Sequence, residues 1–105
     1  MDIIRLIRES AERNLIYTIH ALDEMNAEDE IITTDEVRYV VLHGEIIEDY
    51  PEDKRGHSCL MFGIPHSKRP IHIVCAPKED YLAVITAYVP SLEKWESNFK
   101  TRRKK

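Results

Sequence analysis

The period of the apolar residues changes once along this chain, at Gly44. Before it, Ile3, Ile4, Ile7 and Ala11 recur at helical spacing, as do Val37, Val40 and Val41. After it the spacing is two, through EIIEDY (45–50), SCLMFGI (58–64), IHIVCA (71–76) and YLAVITAYV (81–89). The links between these runs are short and carry turn formers: Pro51 and Gly56, then PHSKRP (65–70), then PKED (77–80). Short links between consecutive strands imply antiparallel hairpins. Helices first and a meander afterwards make an α+β fold, with the helices packed on one sheet face.

The finer pattern places a helix over 2–13 and a short strand, LIYTI, at 15–19. A second helix is expected over 21–27. Thr33-Thr-Asp-Glu36 has the form of a capping box that opens a third, with Gly44 supplying a left-handed residue to stop it. Pro90 ends the last strand. Ser91 is expected to cap a short C-terminal helix with Leu92, Trp95 and Phe99 on its apolar side. At 105 residues the chain reads as a single domain over 1–99 with a basic tail at 100–105. No apolar run approaches the ~18 residues of a membrane span. Asp2, Arg5 and Arg8 interrupt any signal-like core near the start, so a cytoplasmic protein with no membrane contact is expected.

Cys59 and Cys75 sit inside apolar runs and read as buried, reduced thiols. A metal site built from His57, Cys59, His72 and Cys75 conflicts with strand parity. His72 and Cys75 are three apart and point to opposite faces of a regular strand. No metal and no cofactor are expected.

Charge is segregated along the chain. Residues 21–53 carry a net −11, and the remainder a net +7. Residues 54–78 hold Lys54, Arg55, Lys68, Arg69 and Lys78, three histidines and no acid, and KTRRKK closes the chain. Such polarity fits a cationic face that meets phosphate. A solvated surface with a disordered basic tail is the plainer account. On the sheet, alternation leaves His72 away from the helices if Ile71 and Ile73 meet them. If Ala83, Ile85 and Ala87 also meet them, Thr86 and Tyr88 stand beside His72.

HALDEM (20–25), HGEIIEDYPEDKRG (43–56), RPIHIV (69–74) and VITAYVPSLEKWESNFKTRRKK (84–105) together resemble domain-of-unknown-function family 4258. That family is related by fold to the RelE/ParE and BrnT toxins of bacterial toxin–antitoxin pairs. The resemblance implies their order of one strand, two helices and an antiparallel sheet. It also implies a small zinc-finger antitoxin-like partner of the YgiT or MqsA kind. RelE-like nucleases work without metal, through basic and tyrosine residues on the exposed sheet face.

Metal-free RNA cleavage needs one group to take the 2′-hydroxyl proton, another to protonate the leaving oxygen, and cations on the phosphate. His20 and His72 suit the proton roles. Tyr88 can donate a proton or stack on a base, and Arg69 can clamp phosphate in two-pronged fashion. Lys54, Arg55, Lys68 and Arg69 are the candidate RNA contacts. Plainer roles exist as well: His20 fixing the strand-to-helix turn, His72 half-buried in the sheet, Tyr88 packing its ring. Two functional readings follow. One is a RelE/BrnT-like toxin, with mRNA endonuclease activity and RNA or the ribosome as target. The other is a non-catalytic interaction module of the same fold, favoured by the acidic 21–53 segment and a sequence pI near 5.7.

Overall fold

A computed structural model describes residues 2–104. Met1 of the expected domain and Lys105 of the expected tail lie outside the described residues. Helix α1 (Ile3–Arg13) begins at Asp2, whose carboxylate accepts from the Ile4 amide. Strand β1 (Leu15–Tyr17) leads into α2 (Ile19–Met25), and α3 (Thr34–His43) follows. The strands β2 (Glu45–Tyr50), β3 (Ser58–Gly63), β4 (Ile71–Pro77) and β5 (Leu82–Tyr88) complete the order. The α+β class and the antiparallel run from β2 to β5 match the sequence pattern. The sheet is nevertheless mixed, because β1 joins the far edge parallel to β5, giving the order β1-β5-β4-β3-β2.

Helices α1 and α3 cover one face of β3, β4 and β5. Ile7, Val37, Val40, Met61, Ile73 and Val84 are fully buried in the core between them. Each such side chain contributes about 1.5–3 kcal/mol relative to exposure. Cys59 and Cys75 are paired in register, buried and unbridged. A hydrogen bond between the two thiols, with burial, pushes Cys75 well above the ordinary thiol range.

Several sequence expectations need correction. Helix α2 begins at Ile19 rather than Ala21, because Thr18 caps it: the threonine oxygen accepts from the Ala21 amide at 3.0 Å. The turn is therefore fixed by Thr18, and His20 is a helix residue. Gly44 is extended, at φ −79°, and not left-handed. Its need is space: a Cβ there would lie 2.5 Å from the Phe62 carbonyl oxygen and 2.6 Å from that of Val40. In β5, Ile85 is an extra residue between the pairs Cys75–Val84 and Val74–Thr86. This bulge switches the parity. Leu82 and Val84 meet the helices before it and Ala87 after it, whereas regular alternation assigned Ala83 and Ile85 to that side.

The C-terminal helix does not form. Lys94 and Trp95 amides both donate to the Ser91 carbonyl, and the helix goes no further. The Asn98 side chain accepts from the Lys100 and Thr101 amides, Phe99 turns left-handed at φ 58°, and Trp95 pairs with Arg102. A helix would align Leu92, Trp95 and Phe99. Instead Leu92 faces solvent and Trp95 is buried against the sheet. Residues 90–104 thus form a strap across the face opposite the helices. Lys100 pairs with Glu45 and Arg102 with Glu48, so the basic segment lies against β2.

The Gly44 geometry makes a test. Gly44→Ala is expected to cost about 1–3 kcal/mol through overpacking against two backbone carbonyls. A urea melt reads this as a lower midpoint with an unchanged slope.

Candidate functional site

The register of the sheet decides what lies under the strap. His72 is paired with Phe62 on one side and Tyr88 on the other, so all three project away from the helices. A bulge in β2 between Ile46 and Glu48 sets Glu48 opposite Leu60 and Tyr50 opposite Ser58, on the same face. The strap then closes over His72. The Trp95 ring stands edge-on to the imidazole at a centroid distance of 4.4 Å, and His72 is 0% exposed.

Hydrogen bonding fixes the state of that imidazole. Nε2 lies 2.7 Å from the Phe99 carbonyl oxygen, which can only accept, so Nε2 carries the proton. In the neutral ring Nδ1 is then an acceptor, and the Tyr88 hydroxyl donates to it across 3.1 Å. Burial holds His72 below the ordinary histidine range, against the opposing pull of the Phe99 carbonyl and the Glu48 charge. Burial also pushes the Tyr88 phenol up to about 12, so it stays protonated near neutrality.

Beside this pair Arg102 grips Glu48 with two hydrogen bonds, of 2.7 and 3.0 Å, and lies over the Trp95 ring at 4.7 Å. The Tyr50 hydroxyl also donates to Glu48. The Arg102 hydrogen bonds hold the Glu48 carboxyl below the usual carboxylate range, while burial raises the Tyr50 phenol.

The open edge of β5 forms the other wall. β1 covers only Leu82 to Val84, which leaves the later amides of β5 without a neighbouring strand. Helix α2 seals this stretch: the Thr18 hydroxyl donates to the Ile85 carbonyl at 2.9 Å, and the Glu24 carboxylate accepts from the Ala87 amide at 3.0 Å. A side chain thus takes the place of a missing strand. Between α2 and the strap opens a cleft of about 410 Å³, lined by Glu24, Tyr88, Val89, Ser91, Lys94, Trp95 and Arg102. Glu24 Oε1 is occupied by Ala87 and by His20 at 3.3 Å. Its Oε2 has no partner among the described residues.

The four candidate catalytic residues do not share one cavity. His72 and Tyr88 are in contact, and His20 reaches the cleft wall only through Glu24. Arg69 is elsewhere: it donates to Glu36 at 2.9 and 3.1 Å and to the Ile31 carbonyl at 2.7 Å. Burial acts to raise the Glu36 carboxyl. Hydrogen bonds from Ser67, the Thr33 amide and Arg69 outweigh it and leave Glu36 below its usual range. The basic residues are divided too. Lys54 and Arg55 precede β3, and Lys68 and Arg69 follow it, a strand length of roughly 20 Å apart. Arg55 is held by Asp53 at 2.9 Å. His57 faces Asp49 at 2.6 Å, while Cys59 and Cys75 lie under the helices, so the candidate metal set is scattered. Among the described residues no group of three metal-ligating side chains converges.

The sequence reading missed Glu24, Glu48, Lys94 and Arg102 as cleft and cleft-side residues. The i, i+4 spacing of His20 and Glu24 was a visible signal for the first. The β2 bulge gave none for Glu48.

Linkage gives a measurable consequence. A histidine held neutral in the fold binds fewer protons than the unfolded chain between its lowered pKa and about 6.5. Stability is therefore expected to fall as pH drops below about 6.5 through that window. The Glu36 and Glu48 contributions, from lowered carboxylates, are lost only further down, below the ordinary carboxylate range. Urea midpoints of the wild type and His72→Gln between pH 7 and pH 5 check this; the variant is expected to lose part of the slope.

A family model described as a domain of unknown function, DUF4258, matches residues 17–89, from the end of β1 past the end of β5. Lys94, Trp95 and Arg102 of the strap lie beyond the matched residues. Neither the curated proteins nor the solved structures gave a match. With the match spanning the central sheet, α2, α3 and the Tyr88 side of the cleft, this chain belongs to the DUF4258 family.

Proposed function

We propose that this chain is a RelE/BrnT-like toxin of a toxin–antitoxin pair, and that it cleaves RNA without a metal in the cleft at Tyr88. The observation that carries the reading is the Tyr88 phenol, held by His72 on the cleft wall with Lys94 and Arg102 beside it. The order of one strand, two helices and an antiparallel run, preceded here by α1, agrees with the toxin fold that the family resemblance implies.

The chemistry assigned to the site balances as a transesterification. The free Oε2 of Glu24 takes the proton of a ribose 2′-hydroxyl. The resulting oxygen attacks the adjacent phosphorus, and the bond to the 5′ oxygen breaks. The Tyr88 hydroxyl turns its proton away from His72 Nδ1 and gives it to that leaving oxygen. The products are a 2′,3′-cyclic phosphate and a 5′-hydroxyl, and the proton on Glu24 returns to Tyr88 through solvent. A phenol pushed to about 12 is still a stronger acid than an alcohol, so the transfer runs downhill. Lys94 supplies the charge on the phosphate. His72 touches no substrate in this scheme and positions Tyr88. His20 stands behind Glu24 in the same way.

The second reading, a non-catalytic interaction module, is favoured by one observation: His72 is sealed from solvent by the strap. In either case the partner is proposed to be a small zinc-finger antitoxin-like protein.

Purified protein and a single-stranded RNA, in EDTA, separate the two. The wild type is expected to cleave. Tyr88→Phe and Glu24→Gln are each expected to lose on the order of 10²-fold in kcat, typical for removal of a proton-transfer group. Glu24→Gln keeps an oxygen for the Ala87 amide, and thermal melts confirm folding. No cleavage, free or in a translating extract, or equal rates for wild type and Tyr88→Phe, overturns the nuclease. A stable complex with the neighbouring gene product, without growth arrest on overexpression, then supports the module.

A further inference from the structure

The outermost strand and the helix after it present aliphatic side chains that the described residues leave substantially exposed. Leu15 and Tyr17 of β1 pack on the core, so Ile16 between them points away and is 46% exposed. In α2, Ala21 and Met25 are buried, and the outward face carries Ile19 at 79% and Leu22 at 42% exposure. Ile19 and Leu22 are one helical turn apart, and only Tyr17 and Thr18 separate Ile16 from Ile19. Three large exposed aliphatics thus fall within seven residues at one edge of the sheet, whereas scattered single exposures need no explanation.

Along α2 and the segment after it the charge is of one sign, while Arg13 and Arg38 lie beside Leu15 and Tyr17, which pack on the core side of β1. From Asn14 to Val37 the chain carries seven carboxylates and no lysine or arginine. Asp23 follows Leu22 on α2 and, like Glu28, Asp29 and Glu30 of the segment after the helix, is exposed. A second copy meeting this edge through the same surface would set acid against acid. Nucleic acid and anionic bilayers are repelled for the same reason. The occupant that satisfies both the apolar surface and its rim is an amphipathic helix with an aliphatic stripe flanked by lysine or arginine. We propose that the Ile16, Ile19 and Leu22 surface docks such a cationic amphipathic helix from a protein partner. The surface is distinct from the cleft walls, and the proposal holds whether or not the cleft handles RNA.

The test uses the full chain and three synthetic helical peptides: one of leucine and lysine with a single apolar face, a scramble of it, and a leucine–glutamate counterpart. Titration calorimetry is expected to show binding of the first, about tenfold weaker binding of the scramble and none of the third. Ile19→Ser with Leu22→Ser is expected to weaken the first by at least about tenfold. Glu28→Lys is expected to weaken it less. All three positions are exposed, so the variants keep the fold. Equal affinity for the peptide and its scramble, or no change in the double variant, overturns the proposal. So does self-association in sedimentation that the double variant abolishes, which would assign the surface to a second copy. Binding to phosphatidylserine vesicles lost in the double variant would overturn it in favour of a membrane. Because binding is the readout, a catalytically inactive cleft leaves the outcome unaffected.

Discussion

One buried imidazole joins the two halves of this structure. His72 rises from the middle of the sheet, receives the Tyr88 hydroxyl hydrogen bond on Nδ1 and gives its own proton to the Phe99 carbonyl from Nε2. The first contact is cross-strand and the second reaches 27 residues along the chain, into the strap. Burying a polar ring without partners costs several kcal/mol, so both bonds must be present for the ring to be there at all. The strap therefore closes on a defined position. Trp95 lands on the imidazole, Arg102 on Glu48, and the cleft beside Tyr88 takes its shape from that arrangement.

The other wall has a different origin. A sheet whose first strand is three residues long leaves half of its neighbour exposed. Native folds rarely leave buried amides and carbonyls unpaired. Here Thr18 serves two ends at once: its oxygen caps α2 and its hydroxyl satisfies the Ile85 carbonyl. Glu24, a turn and a half further on, satisfies the Ala87 amide. The same helix that repairs the edge must then show its opposite face to solvent, which is why Ile19 and Leu22 are outside. Edge repair, cleft wall and exposed aliphatics are consequences of one short strand.

Periodicity revealed the elements that repeat regularly, and failed where a single residue breaks the repeat. The capping box at Thr33 and Glu36, the strands after Gly44 and their antiparallel order were all legible, because each rests on local chemistry or spacing. The placement of His72 beside Tyr88 was legible as a conditional. The assumption about β5 behind it was wrong before Ile85 and right after it, since the bulge falls between. Two bulges, at Ile47 and Ile85, carry no composition signal, yet they decide which side chains face the strap. The strap itself was hidden for another reason. Leu92, Trp95 and Phe99 have helical spacing, but the turn-forming Asn98 side chain and the pull of a buried Trp95 outweigh the propensity of a short segment.

Charge segregation along the sequence does not become charge segregation in space. The acidic segment and the basic ones are folded onto each other: Glu36 holds Arg69, Asp53 holds Arg55, Glu45 holds Lys100 and Glu48 holds Arg102. The exposed Glu45–Lys100 pair adds little stability. Each of these pairs does, however, occupy a cation and keep it from phosphate. Counterion release grows with the number of phosphates neutralised, so each cation held by a carboxylate lowers the expected affinity for long nucleic acid and flattens its salt dependence. For the RNA cleavage proposed above, recognition at the cleft then rests on shape and on a few groups, Lys94 and Tyr88 above all, acting on one phosphate at a time. Such a site selects by what presents its substrate and gains little from bulk attraction to RNA. On that proposal the small cleft needs a partner or a larger assembly to deliver the strand.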